Sequence, residues 1–185
     1  PFALLYLKFL LDNKIHSRKD IEDKFGAPVL VEVPLSKGVS IIKNNDRSSV
    51  AEAFRILRTN ITFMLRQKDT KSSVIFVTST TSGEGKSFIS TNLASILAMS
   101  GKRVLLIGAD IRSPKVLDYL KLSHLQGGQV GITQYLVNPD MDASKLILKK
   151  PGDYEFDVIY SGAIAPNPAE LLLTGHFDEV VDYAR

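Results

Sequence analysis

Apolar residues follow two alternating patterns along this chain, short continuous runs and stripes with helical spacing. The runs at residues 29–33, 74–78, 104–109 and 156–160 predict strands, and the run at 104–109 is typical of a strand buried on both faces. The segments 48–67, 87–99, 132–137, 168–173 and 177–185 predict helices, while residues 36–45 are expected to form a loop or sheet edge. This alternation predicts an α/β fold, a parallel sheet flanked by helices.

The helix predicted at 48–67 has two distinct faces. One apolar stripe should face the sheet, and it comprises Val50, Phe54, Leu57, Ile61, Met64 and Leu65. A charged row with Glu52, Arg55 and Arg58 runs along the side and back, beside the apolar pair Ile56 and Phe63. This combination suggests a partner surface. A solvated face of intrahelical ion pairs explains the charges equally well, because Glu52 and Arg55 are three residues apart.

The chain begins with an apolar run, residues 1–11, that is followed by several basic residues. Eleven residues are too few to cross a bilayer, which needs about 20. The chain does not begin with Met, so we expect residues 1–19 to be the cytoplasmic exit of a transmembrane helix with its basic flank, cut from a longer protein. A soluble amphipathic helix packed on the domain is the alternative. A signal peptide fits less well, since the positive charges follow the run and no small-residue cleavage site is present.

Composition narrows the class of protein further. The 185 residues, of which 44% are hydrophobic and 23% charged, suffice for one globular domain with a core. The absence of cysteine excludes disulfides and thiolate metal sites, and it agrees with a cytoplasmic location. The net charge of +3 is scattered without a basic block, so the sequence gives no support for nucleic-acid binding.

The segment VIFVTSTTSGEGKS at 74–87 predicts a phosphate-binding loop between a strand and a helix. Gly83 and Gly85 let the backbone pass close to an anion, and the amides of the turn and of the helix start point at it. We expect residues 82–88 to bind the nucleotide, that is Ser82, Gly83, Glu84, Gly85, Lys86, Ser87 and Phe88. Lys86 would contact the β- and γ-phosphates of ATP, and the Ser87 hydroxyl would bind Mg²⁺. Thr80 occupies the position of the motif's first glycine; a surface turn that merely contains Lys-Ser is the alternative.

A second candidate group follows the run at 104–109. Asp110 falls at the carboxyl end of that predicted strand, the edge at which ligands bind in parallel sheets, and Arg112 follows in a loop. Asp110 could therefore contact the metal or the γ-phosphate. Its alternative is a structural role, as a turn or N-cap residue.

Three separated motifs resemble those of bacterial tyrosine kinases of the polysaccharide co-polymerase type. They are SSVAEAFRILRTNI at 48–61, TSTTSGEGKSFISTNLASILAMSGKRVLLIGADIRSP at 78–114 and YSGAIAPNPAELL at 160–172. The resemblance implies a cytoplasmic P-loop NTPase-like domain at 20–185, anchored to the bacterial inner membrane, that phosphorylates itself on tyrosine and regulates capsular or exopolysaccharide synthesis and export. It implies ATP and Mg²⁺ as cofactors, and as partners the export machinery and a tyrosine phosphatase.

Residue roles are carried over from the family only where its motifs match. Lys86, Asp110 and Arg112 are the expected catalytic residues, with Ser87 and Asp110 at the metal. Gly108 replaces the first aspartate of the family's second nucleotide motif. The third motif and the tyrosine-rich tail are not found, so the domain is expected to be incomplete, with the missing strand shortly after residue 185, and inactive alone.

The family's Glu-x-x-Arg-x-x-Arg oligomerisation motif matches Glu52, Arg55 and Arg58, which implies a homo-oligomeric ring through helix 48–67. Two other functions stay open. Partition or division ATPases share the fold, although they place a lysine where this chain has Thr81. A nucleotide-responsive chain-length regulator without kinase activity would agree with the change at Gly108.

Overall fold

A computed structural model describes residues 17–36, 38, 40–66, 72–125 and 130–185, and the single residues 2, 6, 7, 11, 14 and 15. The helices of this part are α1 (Arg18–Phe25), α2 (Ser49–Leu65), α3 (Lys86–Ala98), α4 (Val116–Tyr119), α5 (Ile132–Val137), α6 (Pro168–Leu172) and α7 (His176–Ala184). Its strands are β1 (Leu105–Ile107), β2 (Ile147–Leu148) and β3 (Asp157–Ile159), and short 3-10 helices lie at Ser123–Leu125 and Ala143–Leu146.

The three strands form one mixed sheet in the order β1-β3-β2. β1 pairs in parallel with β3, with Leu106 opposite Val158. β2 pairs antiparallel with β3, with Ile147 opposite Ile159. The predicted parallel pairing is thus found between β1 and β3. The two-residue β2, which was not predicted, adds an antiparallel strand, because a short loop returns from it directly to β3.

Two of the predicted strands have no strand partner within the described residues. Residues 29–33 form no strand, and they are attached to α2 instead, where the Asn60 side-chain amide donates to the Leu30 carbonyl over 2.6 Å. Residues 74–78 are also outside the sheet, with Val74 60% and Phe76 80% exposed. The strand predictions at both places are wrong for the described part of the chain.

Helix α2 packs against α3 through most of the predicted stripe. Ser48 begins the helix, since its side chain accepts from the Ala51 N–H as an N-cap. Phe54, Leu57 and Ile61 are buried against Leu93 and Ile96 of α3. Met64, predicted to belong to the stripe, is 48% exposed, because it lies at the outer edge of that face near the end of the helix.

The sheet is covered on both faces. On one side α3 and α4 pack on it, and Ala94 and Ala98 meet Leu106 and Val158. On the other side α5 and α7 pack on it, with Ile132 and Val180 against Ile159. Because α2 lies outside α3, the order of layers is α2, then α3 and α4, then the sheet, then α5 and α7.

Two polar side chains of α3 fix the segment that precedes α2. Asn92, fully buried, accepts from the Ile42 N–H over 2.9 Å, and the Ser95 hydroxyl donates to the Ile42 carbonyl over 2.8 Å. Both backbone groups of a buried residue are thereby satisfied. The position of α3, and so of the loop at its start, is tied to the outer layer.

The expected membrane exit at 1–19 lies largely outside the described residues. Of its apolar residues, Phe2, Tyr6, Leu7 and Leu11 are described and are exposed. Within the described part of the chain, no helix combines the length and apolar character that crossing a bilayer requires.

Candidate active site

The predicted phosphate loop lies between the irregular segment 73–79 and the start of α3. Gly83 and Gly85 have φ angles of +89° and +94°, a left-handed conformation that other residues rarely adopt. Gly85 is also the N-cap of α3, and no side chain caps the helix there. The first amides of a 13-residue helix are thus left facing the loop without a side-chain acceptor.

Lys86 turns back across this loop. Its ammonium donates to the Ser79 hydroxyl over 2.8 Å and to the Thr81 carbonyl over 3.2 Å, and the residue is half-buried. The positive charge is therefore held on the residues that precede the two glycines. Sequence reasoning missed Ser79 as a contact of Lys86; the polar run between the apolar segment and the glycines was the available signal.

Glu84 also reaches back across this loop, to the neighbouring residues Thr80 and Thr81. Its carboxylate accepts from the Thr81 N–H over 3.1 Å and from the Thr80 hydroxyl over 3.1 Å. The Thr81 N–H, followed by the Thr81 and Thr80 hydroxyls, lowers the pKa of Glu84 to about 2. This carboxylate is therefore ionised at neutral pH.

Ser87 and Phe88 form the first turn of α3. Ser87 is half-buried, and its carbonyl accepts from the Thr91 hydroxyl over 2.6 Å. The Phe88 ring packs edge-on against Phe54 of α2, with 5.8 Å between ring centroids. Phe88 can thus contribute its backbone to the loop, while its side chain belongs to the core between α2 and α3.

Asp110 and Arg112 lie beyond β1 with exposed side chains. One carboxylate oxygen of Asp110 accepts from the Ser113 N–H over 2.9 Å and from the Arg112 N–H over 3.3 Å. This is the turn-stabilising role given above as its alternative, and it leaves the second oxygen open to solvent. The loop and this turn are linked through α3, which begins at the loop and packs its second half beside β1.

Gly108 is buried at the position where the resemblance predicts an acidic residue. Its N–H donates to the Ile159 carbonyl over 2.8 Å. A Cβ atom at this position would lie 3.0 Å from Val116 Cγ2 and 3.5 Å from the Ile159 carbonyl oxygen. Glycine at position 108 therefore allows β1, α4 and β3 to pack closely at this point.

The charged row on α2 is divided between two environments. Arg55 pairs with Glu52 over 2.5 Å and donates to the Asp46 carbonyl over 2.6 Å, so its guanidinium faces its own domain. Arg58 is half-buried and has no hydrogen-bond or ion-pair partner among the described residues. Beside the row, residues 31–34 and the start of α2 enclose a shallow groove of about 450 Å³ with Glu52 and Ile56 at its wall.

The comparisons with known proteins agree with this geometry. Residues 75–150 match the family model described as the CobQ/CobB/MinD/ParA nucleotide binding domain. The kinase domain of the Escherichia coli tyrosine kinase ETK has the same fold, with a TM-score of 0.75 and 28% identity over 91% of this chain and 68% of that one. Two curated relatives are tyrosine-protein kinases. Etk of Escherichia coli is 33% identical over 76% of this chain, and YwqD of Bacillus subtilis is 38% identical over 71%.

The chain belongs to the bacterial tyrosine kinase family. Its fold is that of a P-loop NTPase-like domain, as predicted, with a mixed sheet in place of the parallel one. The chain spans 18% of the length of Etk and 52% of that of YwqD. The family model also covers the partition and division ATPases by its description, whereas the curated relatives and the solved structure are kinases.

Proposed function

We propose that this chain is the nucleotide-binding part of a protein tyrosine autokinase that regulates capsular or exopolysaccharide synthesis and export. The observation that carries the proposal is the loop itself, in which the Lys86 ammonium is folded onto the turn in front of the uncapped start of α3. Cation and amides together form a site for a polyphosphate. The kinase relatives supply the reaction.

In this proposal ATP binds with its phosphates on the amides of residues 82–88. Lys86 would leave Ser79 and Thr81 to contact the β- and γ-phosphates, and the Ser87 hydroxyl would bind Mg²⁺. Mg²⁺ prefers six oxygen ligands and retains water, so phosphate oxygens and water would complete its coordination. A tyrosine hydroxyl then attacks the γ-phosphorus; the bond to the β-phosphate oxygen breaks, and phosphotyrosine, ADP and a proton are the products.

Asp110 and Arg112 would act at the γ-phosphate. The open carboxylate oxygen of Asp110 can orient the metal or the attacking hydroxyl, since only its other oxygen is engaged in the turn. Arg112, exposed next to it, can offset charge on the transferring group. Both roles require the loop and the turn to approach one another in the complete domain.

The complete protein is further proposed to act as a ring at the cytoplasmic face of the bacterial inner membrane. The helix α2, with Glu52, Arg55 and Arg58, would form the subunit contact, and residues 1–19 would lead to the membrane anchor. The unpartnered Arg58 supports the contact, because a guanidinium binds a carboxylate of a neighbour bidentately. Tethered neighbours raise the effective concentration of acceptor tyrosines. The export machinery and a tyrosine phosphatase are the proposed partners.

Phosphotyrosine formation in the complete protein tests this proposal. With ATP and Mg²⁺, the wild type should become phosphorylated. Asp110→Asn should lose most of the label but keep nucleotide affinity, because the asparagine oxygen can still accept the turn's N–H groups. Asp153→Asn, at an exposed carboxylate away from the loop, is the control. Equal labelling of all three would remove Asp110 from the reaction.

A second function is supported by Gly108. Since the packing leaves no room for the family's acidic group there, the chain can serve as a nucleotide-responsive regulator of chain length that transfers no phosphate. A wild type that binds ATP yet forms no phosphotyrosine would decide for this function.

A further inference from the structure

Glu84 is the only residue with a side chain between the two left-handed glycines of the loop, Gly83 and Gly85. Glycine gives the backbone on either side wide conformational freedom, which must be restricted for the amides to converge on one anion. The Glu84 carboxylate is held at 3.1 Å by the Thr81 N–H and at 3.1 and 3.3 Å by the Thr80 hydroxyl. One side chain thus spans the turn from position 84 back to positions 80 and 81.

The positions of Glu84 and Thr80 within the phosphate-loop motif bear on the role of this contact. Thr80 occupies the position at which G-x-x-x-x-G-K-[ST] has its first glycine. A glycine there offers no hydroxyl, whereas Thr80 points its own at Glu84. The lowered pKa of Glu84 agrees with a carboxylate that is stabilised by these donors. The Thr80 hydroxyl and the Glu84 carboxylate, neither of which the motif requires, therefore bond to one another.

We propose that Glu84 is a positioning residue that braces the phosphate loop before nucleotide arrives, with Thr80 and Thr81 as its anchors. The inference rests on the proposed nucleotide binding and adds to it a mechanism of preorganisation. A braced loop has less conformational entropy to lose when phosphate binds, so the brace strengthens binding. Its negative charge acts in the opposite direction by repelling phosphate. Because the carboxylate is engaged by the Thr80 hydroxyl and the Thr81 N–H, we expect the bracing effect to outweigh the repulsion.

Two substitutions of Glu84 in the complete protein distinguish the bracing effect from the charge repulsion. Glu84→Gln keeps an oxygen that accepts from the Thr81 N–H but removes the charge, whereas Glu84→Ala removes both. We expect Glu84→Ala to weaken ADP binding about tenfold, the size expected for losing hydrogen bonds to a charged acceptor. Glu84→Gln should bind within about threefold of the wild type. Glu22→Ala, which removes an exposed carboxylate paired with Arg18 on α1, is the control.

A double-substitution cycle assigns the effect to the Thr80 contact. Thr80→Val keeps the branched shape and removes the hydroxyl. If Glu84 acts through Thr80, then Glu84→Ala should weaken ADP binding by a smaller factor in the Thr80→Val background than in the wild type. Affinity losses that simply multiply would show that the two residues act independently and would overturn the role of Thr80.

Hydrogen exchange in the nucleotide-free protein gives a readout that needs no binding. The amides of residues 82–87 should exchange faster in Glu84→Ala and close to the wild-type rate in Glu84→Gln. Unchanged exchange and unchanged affinity in both variants would overturn the brace. Tighter ADP binding by both would show that the carboxylate only opposes phosphate, which also overturns it. A wild type that binds no ADP but shows the exchange difference would refute the proposed function and leave the brace intact.

Discussion

An acidic residue at position 108, which the family resemblance predicts, should not be tolerated in this chain. The backbone does not exclude it, because Gly108 has no positive φ. The packing excludes it, since a Cβ atom at position 108 would lie 3.0 Å from Val116 Cγ2 and 3.4 Å from Val116 Cβ. Gly108→Ala then overpacks the site by about 1–3 kcal/mol, of which the stiffer unfolded chain offsets about 0.4–1 kcal/mol.

Gly108→Asp adds a charge to the same buried position. An uncompensated buried charge destabilises a protein by about 3–5 kcal/mol, so we expect the melting temperature to fall by roughly 10 °C. Val116→Ala removes the obstructing methyl groups, and it should make Gly108→Ala less destabilising in the double variant than in the single one. Thermal unfolding of the complete protein gives the melting temperatures of these three single variants and the double variant. A Gly108→Asp variant that melts at the wild-type temperature would refute the packing argument.

Three further predictions concern other parts of the structure. Asn92→Ala should destabilise the protein by about 2 kcal/mol, because the buried Ile42 N–H loses its acceptor. An unchanged midpoint of urea unfolding would contradict this prediction. Arg58→Ala should lower the assembly state in light scattering more than Arg55→Ala, since the Arg55 guanidinium already pairs with Glu52 and donates to the Asp46 carbonyl. Equal assembly of both variants and the wild type would show that the charged row is only a solvated helix face. The folded-state pKa of Glu84, about 2, is below its ordinary value of 4.5, so its loop contacts should persist at neutral pH and be lost as pH falls from about 4.5 towards 2; an NMR titration midpoint near 4.5 would show that these contacts are not formed.

Helices were predictable from the sequence where periodicity and end signals agreed. Helix α2 begins at the Ser48 cap, and α3 ends shortly before Gly101, whose left-handed φ of +81° closes the helix. The observed limits of α5 are those predicted, 132–137. Local sequence suffices in these places because caps and apolar stripes act within one or two turns.

Strands were less predictable, because pairing depends on distant residues. The apolar runs around β1 and β3 identified both strands, and the sheet buries them between two helical layers. The apolar run at 29–33 forms no strand within the described residues, and its Leu30 carbonyl accepts from Asn60 of α2; nothing in its own sequence indicates this. The buried contact of Ile42 with Asn92 spans 50 positions and carries no local signal either.

The motif predicts the site residues, whereas it does not predict their contacts. Gly83 and Gly85 have left-handed conformations, and the Lys86 ammonium folds back onto the Ser79 hydroxyl. The side chain of Phe88 instead packs on Phe54, since the first turn of α3 also forms the interface with α2. The bond between Thr80 and Glu84 could not be read from the motif, which has glycine at position 80 and leaves position 84 unspecified.

Calorimetric titration of the complete protein with ATP and Mg²⁺ tests the central claim most directly. Lys86→Ala should weaken ATP binding at least about tenfold, because it removes a charged donor held within the loop. Lys102→Ala, at an exposed lysine just after α3, should bind as the wild type does. Equal affinity of the wild type and Lys86→Ala would contradict the assignment of residues 82–88 as the nucleotide site.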